Sequence, residues 1–379
     1  MKSVFLTGGN GYLGAYVCAW IRQHRPEQHL HLLVRAQDEG HAIQKLWATW
    51  QLHMDVDAFK QALTRVTLVY GDLHAKRLGL SDGQYQDVLE RCDSVLHIAA
   101  SLNRKSSKAC LNTNLRGTLS VIKLASAMEA TGSLRRYSHV STVAVAGQRD
   151  REIVEEETAI EWDRSDYDPY GRTKKFCEHM ARELLPEGKV MFFRPSIVMG
   201  DSRFEKTNQF DMIRAFCIMA DLPVVPLRPD VRLDIINADY VGRAIAEIHL
   251  KAQPKWDIYH LSSGRSSKTA QEIADALIAG RTRRRVRFAR KMERPFSKTI
   301  DAMTFAPRKS PIALPAALLK VFLPYITYDT VFANERVVEE LGDAPTPFTG
   351  YCTALYHFAK QNSFSFPAEP LPEGFTRDA

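Results

Sequence analysis

Lys2-Ser-Val-Phe-Leu-Thr7 runs without a break into Gly8-Gly-Asn-Gly-Tyr-Leu-Gly14. The first segment is apolar, β-branched and aromatic and is cut off by glycine, which predicts a short buried strand. Tyr16, Val17, Ala19, Trp20 and Ile21 then continue as an apolar helical run. Strand, glycine turn and helix in that order are the context a dinucleotide cradle demands. Gly8 permits the sharp turn, Gly11 lets backbone N–H groups approach a pyrophosphate, and Gly14 lets the helix sit close on the strand. The helix N-terminus adds a partial positive charge for the phosphates. Thr7, Gly8, Asn10, Gly11, Tyr12, Leu13 and Gly14 are therefore the first candidate cofactor contacts.

Working outward, Leu30-His-Leu-Leu-Val34 reads as a second strand and ends at Arg35. An acid near this point suits a ribose 2′-hydroxyl, whereas an arginine suits a 2′-phosphate. Arg35 thus favours NADP(H), with Asp38 three residues on keeping NAD in view. A third strand, Val66-Thr-Leu-Val-Tyr70, leads into Gly71-Asp72-Leu73, and a fourth, Ser94-Val-Leu-His-Ile98, into Ala99-Ala100-Ser101. Asp72 and Leu73 are placed toward the adenine, and the small residues 99 to 101 leave room for the dinucleotide. His29 and His31 alternate along the second strand and are expected on one exposed face.

The chemistry is carried further along. Arg136-Tyr-Ser-His-Val-Ser-Thr142 reads as a strand, and Tyr170-Gly-Arg-Thr-Lys174 opens a helix after Asp168-Pro169. A hydride arriving at a carbonyl carbon leaves an alkoxide that needs a proton. Tyrosine is a poor acid, with an unperturbed pKa of about 10. A lysine four residues on shares the helix face and is expected to lower that value. Thr142 offers a hydroxyl to the developing oxyanion, with Ser141 as the competing hydroxyl. Phe176, Cys177, Met180 and Leu184 are expected to continue a helical stripe. The acidic stretch 150–168 (Glu155, Glu156, Glu157, Glu161, Asp163, Asp166) is expected to be a solvated loop with no catalytic carboxylate.

In these residues the chain resembles the extended short-chain dehydrogenase/reductase family over roughly residues 1–265. The matching pieces are Thr7–Gly14, Asn112-Thr-Asn-Leu-Arg-Gly-Thr118, Val140-Ser-Thr142, Tyr170–Lys174 and Arg194-Pro-Ser-Ile-Val-Met-Gly200. Leu33-Val-Arg35, Leu78-Gly-Leu-Ser81, His97-Ile-Ala-Ala100 with Asn103, and Tyr259-His-Leu-Ser-Ser-Gly264 are similar to the thioester-reductase and fatty-acyl-CoA-reductase branch. The resemblance implies a Rossmann-type doubly wound parallel sheet, Tyr170 as proton donor, Lys174 as its assistant and Thr142 as the oxyanion hydroxyl. It also implies that Asn114 braces the active-site helix and that Asn114, Arg194, Pro195, Ser196 and Val198 belong to the cofactor site. Lys174 would reach the nicotinamide ribose. The implied substrate is an acyl thioester on CoA or a carrier protein. Sugar-nucleotide and steroid branches share the same core, so a hydroxyl/ketone oxidoreductase of lipids is the alternative. A sugar-nucleotide epimerase and a non-catalytic dinucleotide sensor stand further off.

The 379 residues are 45% hydrophobic and 25% charged, enough for a full core in one large or two interlocked domains. Residues 1–200 and 231–265 are assigned to the dinucleotide domain, and 201–230 with 266–379 to a smaller, discontinuous substrate domain. Six scattered cysteines without a Cys-x-x-Cys pair suggest reduced thiols, hence a cytoplasmic location. No metal-ligand spacing appears. The N-terminus enters the first strand at once, so no signal peptide is expected. No adenylation or carrier segment is read within the chain. The net charge of +7 peaks in Arg281-Thr-Arg-Arg-Arg-Val-Arg287 with Arg290-Lys291. This run is either a solvated edge or a dock for CoA phosphates or an acidic carrier protein. It lacks any nucleic-acid motif. Leu314, Ala317, Leu318, Val321 and Phe322, widened by Leu319 and Leu323, recur at helical spacing. A core helix explains them most simply; an acyl-tunnel wall or a helix in peripheral contact with a membrane is the functional alternative. A homodimer is left open.

Overall fold

The computed structural model describes residues 2–104, 106–280, 286–306, 310 and 313–377. Seven parallel strands form the central sheet: β1 (Ser3–Thr7), β2 (Leu30–Val34), β3 (Val66–Tyr70), β4 (Cys92–His97), β5 (Arg136–Val140), β6 (Val190–Pro195) and β7 (Ile258–Leu261). Their order is β7-β6-β5-β4-β1-β2-β3, so the chain leaves β1 toward one edge, returns, and builds toward the other. Ligands bind at such a reversal, outside the carboxyl ends of the strands. Alternation explains the two-faced burial: Val4 and Leu6 of β1 enter one core with Leu32 and Val241, while Phe5 enters the opposite core with Val95 and Tyr137.

The helices that matter are α1 (Tyr12–His24), α2 (Gly117–Ala130), α3 (Pro169–Leu184), α4 (Asp211–Asp221), α5 (Ala238–Leu250), α6 (Ala270–Ala279), α7 (Ala313–Thr327) and α8 (Cys352–Gln361). Asp168 caps α3 by accepting from Gly171 N at 2.8 Å, and Pro169 occupies the first turn, where its missing N–H costs nothing. A π-helical turn, Cys110–Arg116, precedes α2 and carries Asn114. A second core, built by α4, α6, α7 and α8, includes Phe216, Leu233, Leu277, Leu323 and Leu355. Parallel pairing of Ile197–Val198 with Ile235–Ile236 links it to the sheet.

Several expectations are corrected. Residues 331–377 do not all stay in the second lobe. Val331–Phe332 pairs with Ile153–Val154, Val337 joins the core beside β1, and the Phe375 ring lies 5.8 Å from Phe59. The 150–168 stretch is not a solvated loop throughout. Glu156 is buried, and Glu152 and Glu161 bridge Arg149 and Arg164. The inward face of α3 carries Tyr170, Thr173, Lys174, Cys177, Glu178 and Ala181, whereas Phe176 and Leu184 are exposed. His31 is buried, with Nε2 3.2 Å from Asp87 Oδ2, because α-helical cover lies over that end of the sheet. On α7, Leu319 and Leu323 of the expected face are buried beside Ala316 and Ile326, while Ala317, Leu318 and Val321 are half-buried; the side chains of Leu314 and Phe322 lie outside the described residues. Of the basic run, residues 281–285 lie outside the described residues. Arg287 pairs beside Val224 in a short strand, and Arg290 and Lys291 are exposed.

Candidate active site

A cavity of about 630 Å³ opens at the carboxyl ends of β1, β2, β4, β5 and β6. Its floor is the glycine turn. Gly8 holds φ +81°, and a Cβ there would sit 2.7 Å from Ala99 N. A Cβ at Gly14 would meet Gly8 O at 2.0 Å, so the turn closes only with glycine at both positions. Gly11 is the N-cap of α1 and lines the cavity, so the helix N-terminus opens onto it. This is a cradle of backbone N–H groups that fits a pyrophosphate. Thr7 Oγ1 bonds His97 Nδ1 at 2.6 Å and accepts from Ala99 N at 3.3 Å, tying β1 to β4 beneath the site.

Arg35, largely exposed, and Asp72 stand together at one end of the cavity, with Arg35 Nη1 3.8 Å from Asp72 Oδ2. Asp38 is committed elsewhere: it caps a following helix through His41 N at 2.8 Å and does not line the cavity. At the other end lie Ser141, Thr142, Tyr170 and Lys174. The Thr142 hydroxyl accepts from Ala144 N at 3.2 Å and donates to Pro195 O at 3.5 Å, whereas the buried Ser141 Oγ has no partner among the described residues. Lys174 donates from Nζ to Val140 O at 2.7 Å and to His139 Nε2 at 3.3 Å. Burial pushes its ammonium down to about 8, with Cys177 and Glu178 pulling the other way. Burial likewise pushes the Tyr170 phenol up to about 12, and the first charge opposing that is Arg104.

Pro195, Ser196, Val198, Leu73, Ala99 and Ala100 line the cavity as expected from the sequence. Three residues do not reach it. Ser101 and Asn114 bond each other through Ser101 N and Asn114 Oδ1 at 2.7 Å, and Asn114 Nδ2 donates to Thr173 Oγ1 at 3.3 Å. Asn114 therefore joins the loop after β4 to α3 from outside the wall. Arg194 turns into the core, where Glu178 receives two of its N–H groups at 3.0 and 2.7 Å. Its place in a cofactor site is corrected to that of a buried ion pair. Sequence reasoning missed Arg104, Gln209, Met212 and Tyr325. The last three come from the second lobe, and no local pattern announces which of its side chains will face the cleft.

The family model described as Male sterility protein, an NAD-binding family, matches residues 6–245. The chain belongs to this family, within the extended short-chain dehydrogenase/reductases, a class of NAD(P)-dependent oxidoreductases. It is 29% identical over 265 residues to the L-2-aminoadipate reductase large subunit of Penicillium chrysogenum, matching 64% of this chain and 18% of that protein. It is 28% identical over 261 residues to the nonribosomal peptide synthetase asaC of Aspergillus flavus, matching 66% of this chain and 25% of that protein. The chain thus spans a quarter or less of these relatives. In fold it is similar to the terminal R domain of the myxalamid PKS-NRPS pathway, with a TM-score of 0.79, 20% identity, and coverage of 96% of this chain and 92% of that one.

Proposed function

We propose that the protein is an NADPH-dependent reductase that releases an aldehyde from an acyl thioester held on a carrier protein or CoA. The observation that carries this reading is one continuous cavity. It joins a Cβ-free phosphate cradle to Tyr170, Lys174 and two hydroxyls, and its outer wall comes from a second lobe able to hold a substrate. The relatives named as a reductase and as a peptide synthetase support the thioester substrate. Arg35 supports NADPH, since its guanidinium stands free enough to meet a 2′-phosphate.

The bound cofactor would supply hydride to the thioester carbonyl carbon. Thr142 or Ser141 would hydrogen-bond the oxygen as it gains charge, and Tyr170 would donate to it. Lys174, held by Val140 O and His139, would offer its ammonium to the nicotinamide ribose of the bound cofactor. Collapse of the tetrahedral hemithioacetal then breaks the C–S bond, and the departing thiolate takes the proton. One hydride and one proton are consumed, and aldehyde and thiol are released.

The test is NADPH consumption, with aldehyde trapped and identified, against an acyl-CoA, an acylated phosphopantetheinyl carrier protein, a 3-keto steroid and a UDP-sugar. Thioester-dependent oxidation with stoichiometric aldehyde is expected. Turnover of the steroid with every thioester untouched would replace this reading by that of a lipid ketone reductase.

A further inference from the structure

The cation stacked on the Tyr170 ring is Arg104, from the segment after β4. Its Cζ lies 4.6 Å from the Tyr170 ring centroid and 5.0 Å from that of Tyr325. Arg104 Nη1 donates to Asp168 Oδ2 at 2.9 Å and to the Tyr325 hydroxyl, which in turn donates to the same Asp168 oxygen at 3.2 Å. The three side chains close a triangle, and Tyr167 stacks on the outer face of Tyr325 with centroids 4.8 Å apart. Arg104 and Asp168 are mostly buried, so charge acts over these distances with little screening. Lys174, by contrast, spends its ammonium on Val140 O and His139.

We propose that Arg104 is a positioning residue for proton transfer: pinned over the Tyr170 ring by Asp168 and by Tyr325 of the second lobe, it stabilises the phenolate left when Tyr170 gives up its proton. In that step the Tyr170 O–H bond breaks, the proton passes to the substrate oxygen, and the ring beneath the guanidinium becomes an anion. A cation over a ring gains far more from the anion than from the neutral phenol, which is the differential binding that lowers a barrier. One anchor of Arg104, Tyr325, sits on α7 of the second lobe, and the other, Asp168, heads α3.

The groups around the phenol are Arg104 after β4, Asp168 at the head of α3, Cys110 from the π-turn, Cys177 and Lys174 on α3, and Tyr325 on α7. Burial, Asp168 and the two thiols oppose the phenolate, and Arg104 favours it. Removing Arg104 therefore raises the ionisation midpoint.

This inference rests on Tyr170 as the proton donor, and its test needs neither substrate nor cofactor. With 3-fluorotyrosine at position 170, ¹⁹F NMR follows ionisation directly, and fluorination brings the midpoint into an accessible pH range. Arg104→Met should raise the midpoint by one unit or more, a tenfold loss in ionisation constant. Arg104→Lys and Tyr325→Phe should raise it less, and they decide the matter if Arg104→Met does not fold. The rise should persist when Arg104→Met is added to Asp168→Asn, which separates the lost cation from the acid it leaves behind. An unmoved midpoint, a rise that disappears in the Asp168→Asn background, or a larger rise from Lys174→Met would overturn the proposal. If thioesters prove not to be substrates, the titration still stands; if the titration fails while thioesters are reduced, only the role of Arg104 falls.

Discussion

At Tyr170 and Lys174 burial acts on both members of the proposed proton-handling pair, raising the phenol and lowering the ammonium. Tyr170→Phe should abolish turnover while leaving NADPH binding, measured by fluorescence titration, nearly unchanged, because the role proposed for the hydroxyl lies in the transition state. Lys174 carries its charge below a pH of about 8 and loses it above. kcat/KM should therefore fall as pH rises through that value, and Lys174→Arg should remove the fall. The two hydroxyls can be separated by kinetics. Loss of one oxyanion donor costs roughly 10²–10³ in kcat, so whichever of Ser141→Ala and Thr142→Val shows that loss identifies the donor. At the far end, Arg35→Ala should raise KM for NADPH and spare NADH. A charge-assisted contact of this kind contributes about 1.5–3 kcal/mol, or about one to two decades. Unchanged discrimination between the two cofactors would remove Arg35 from the 2′-phosphate.

Among the elements, α3 shows where pattern reading succeeds and where it stops. Asp168, Pro169 and the Tyr170/Lys174 spacing were legible because capping and i, i+4 geometry are local. The apolar stripe was legible only in part: Cys177 is buried and Met180 packs on the core, but Phe176 and Leu184 are exposed while Lys174 and Glu178 are buried. Glu178 is tolerated there because Arg194 of β6 meets it with two hydrogen bonds. Truncating one partner of such a pair costs about 3–5 kcal/mol, while replacing both with packed apolar groups costs far less. Glu178→Ala should thus destabilise strongly in urea titration, and Glu178→Leu with Arg194→Met should recover most of the loss. The link between lobes carries a pH-dependent element of its own. Asp234 accepts from Ser196 Oγ and Ser263 N, each at 2.8 Å, yet burial pushes its carboxyl up to about 7. Its proton therefore favours the folded state at low pH, and that advantage is lost as pH rises through about 7. The Tm of Asp234→Asn relative to wild type should climb from pH ~4, the ordinary aspartate value, and level off above 7. A difference independent of pH would show that Asp234 ionises freely.

The molecule as a whole holds a second, largely apolar cavity of about 1010 Å³, bordered by Phe216, Met219, Leu233, Ile273, Leu277 and Ile326. Helices α4 and α7 contribute to both cavities: Met212 and Tyr325 line the first, Phe216 and Ile326 the second. If the second cavity receives an acyl tail, each methylene buried contributes about 0.8 kcal/mol. kcat/KM should then rise with chain length in the wild type and flatten in Ala274→Trp, with short acyl groups unaffected. The sequence by itself determined the parallel sheet, the glycine cradle, the Tyr170/Lys174 pair and the hydroxyls before them, because each rests on short-range geometry between neighbouring residues. Only the tertiary structure decided that Arg194 serves the core, that the acidic stretch and the chain beyond 331 form a seam with the sheet domain, and that Arg104 meets Tyr325 across 221 residues to stand over the Tyr170 ring. Those outcomes depend on which buried charges find partners when distant segments pack, and no local pattern encodes that.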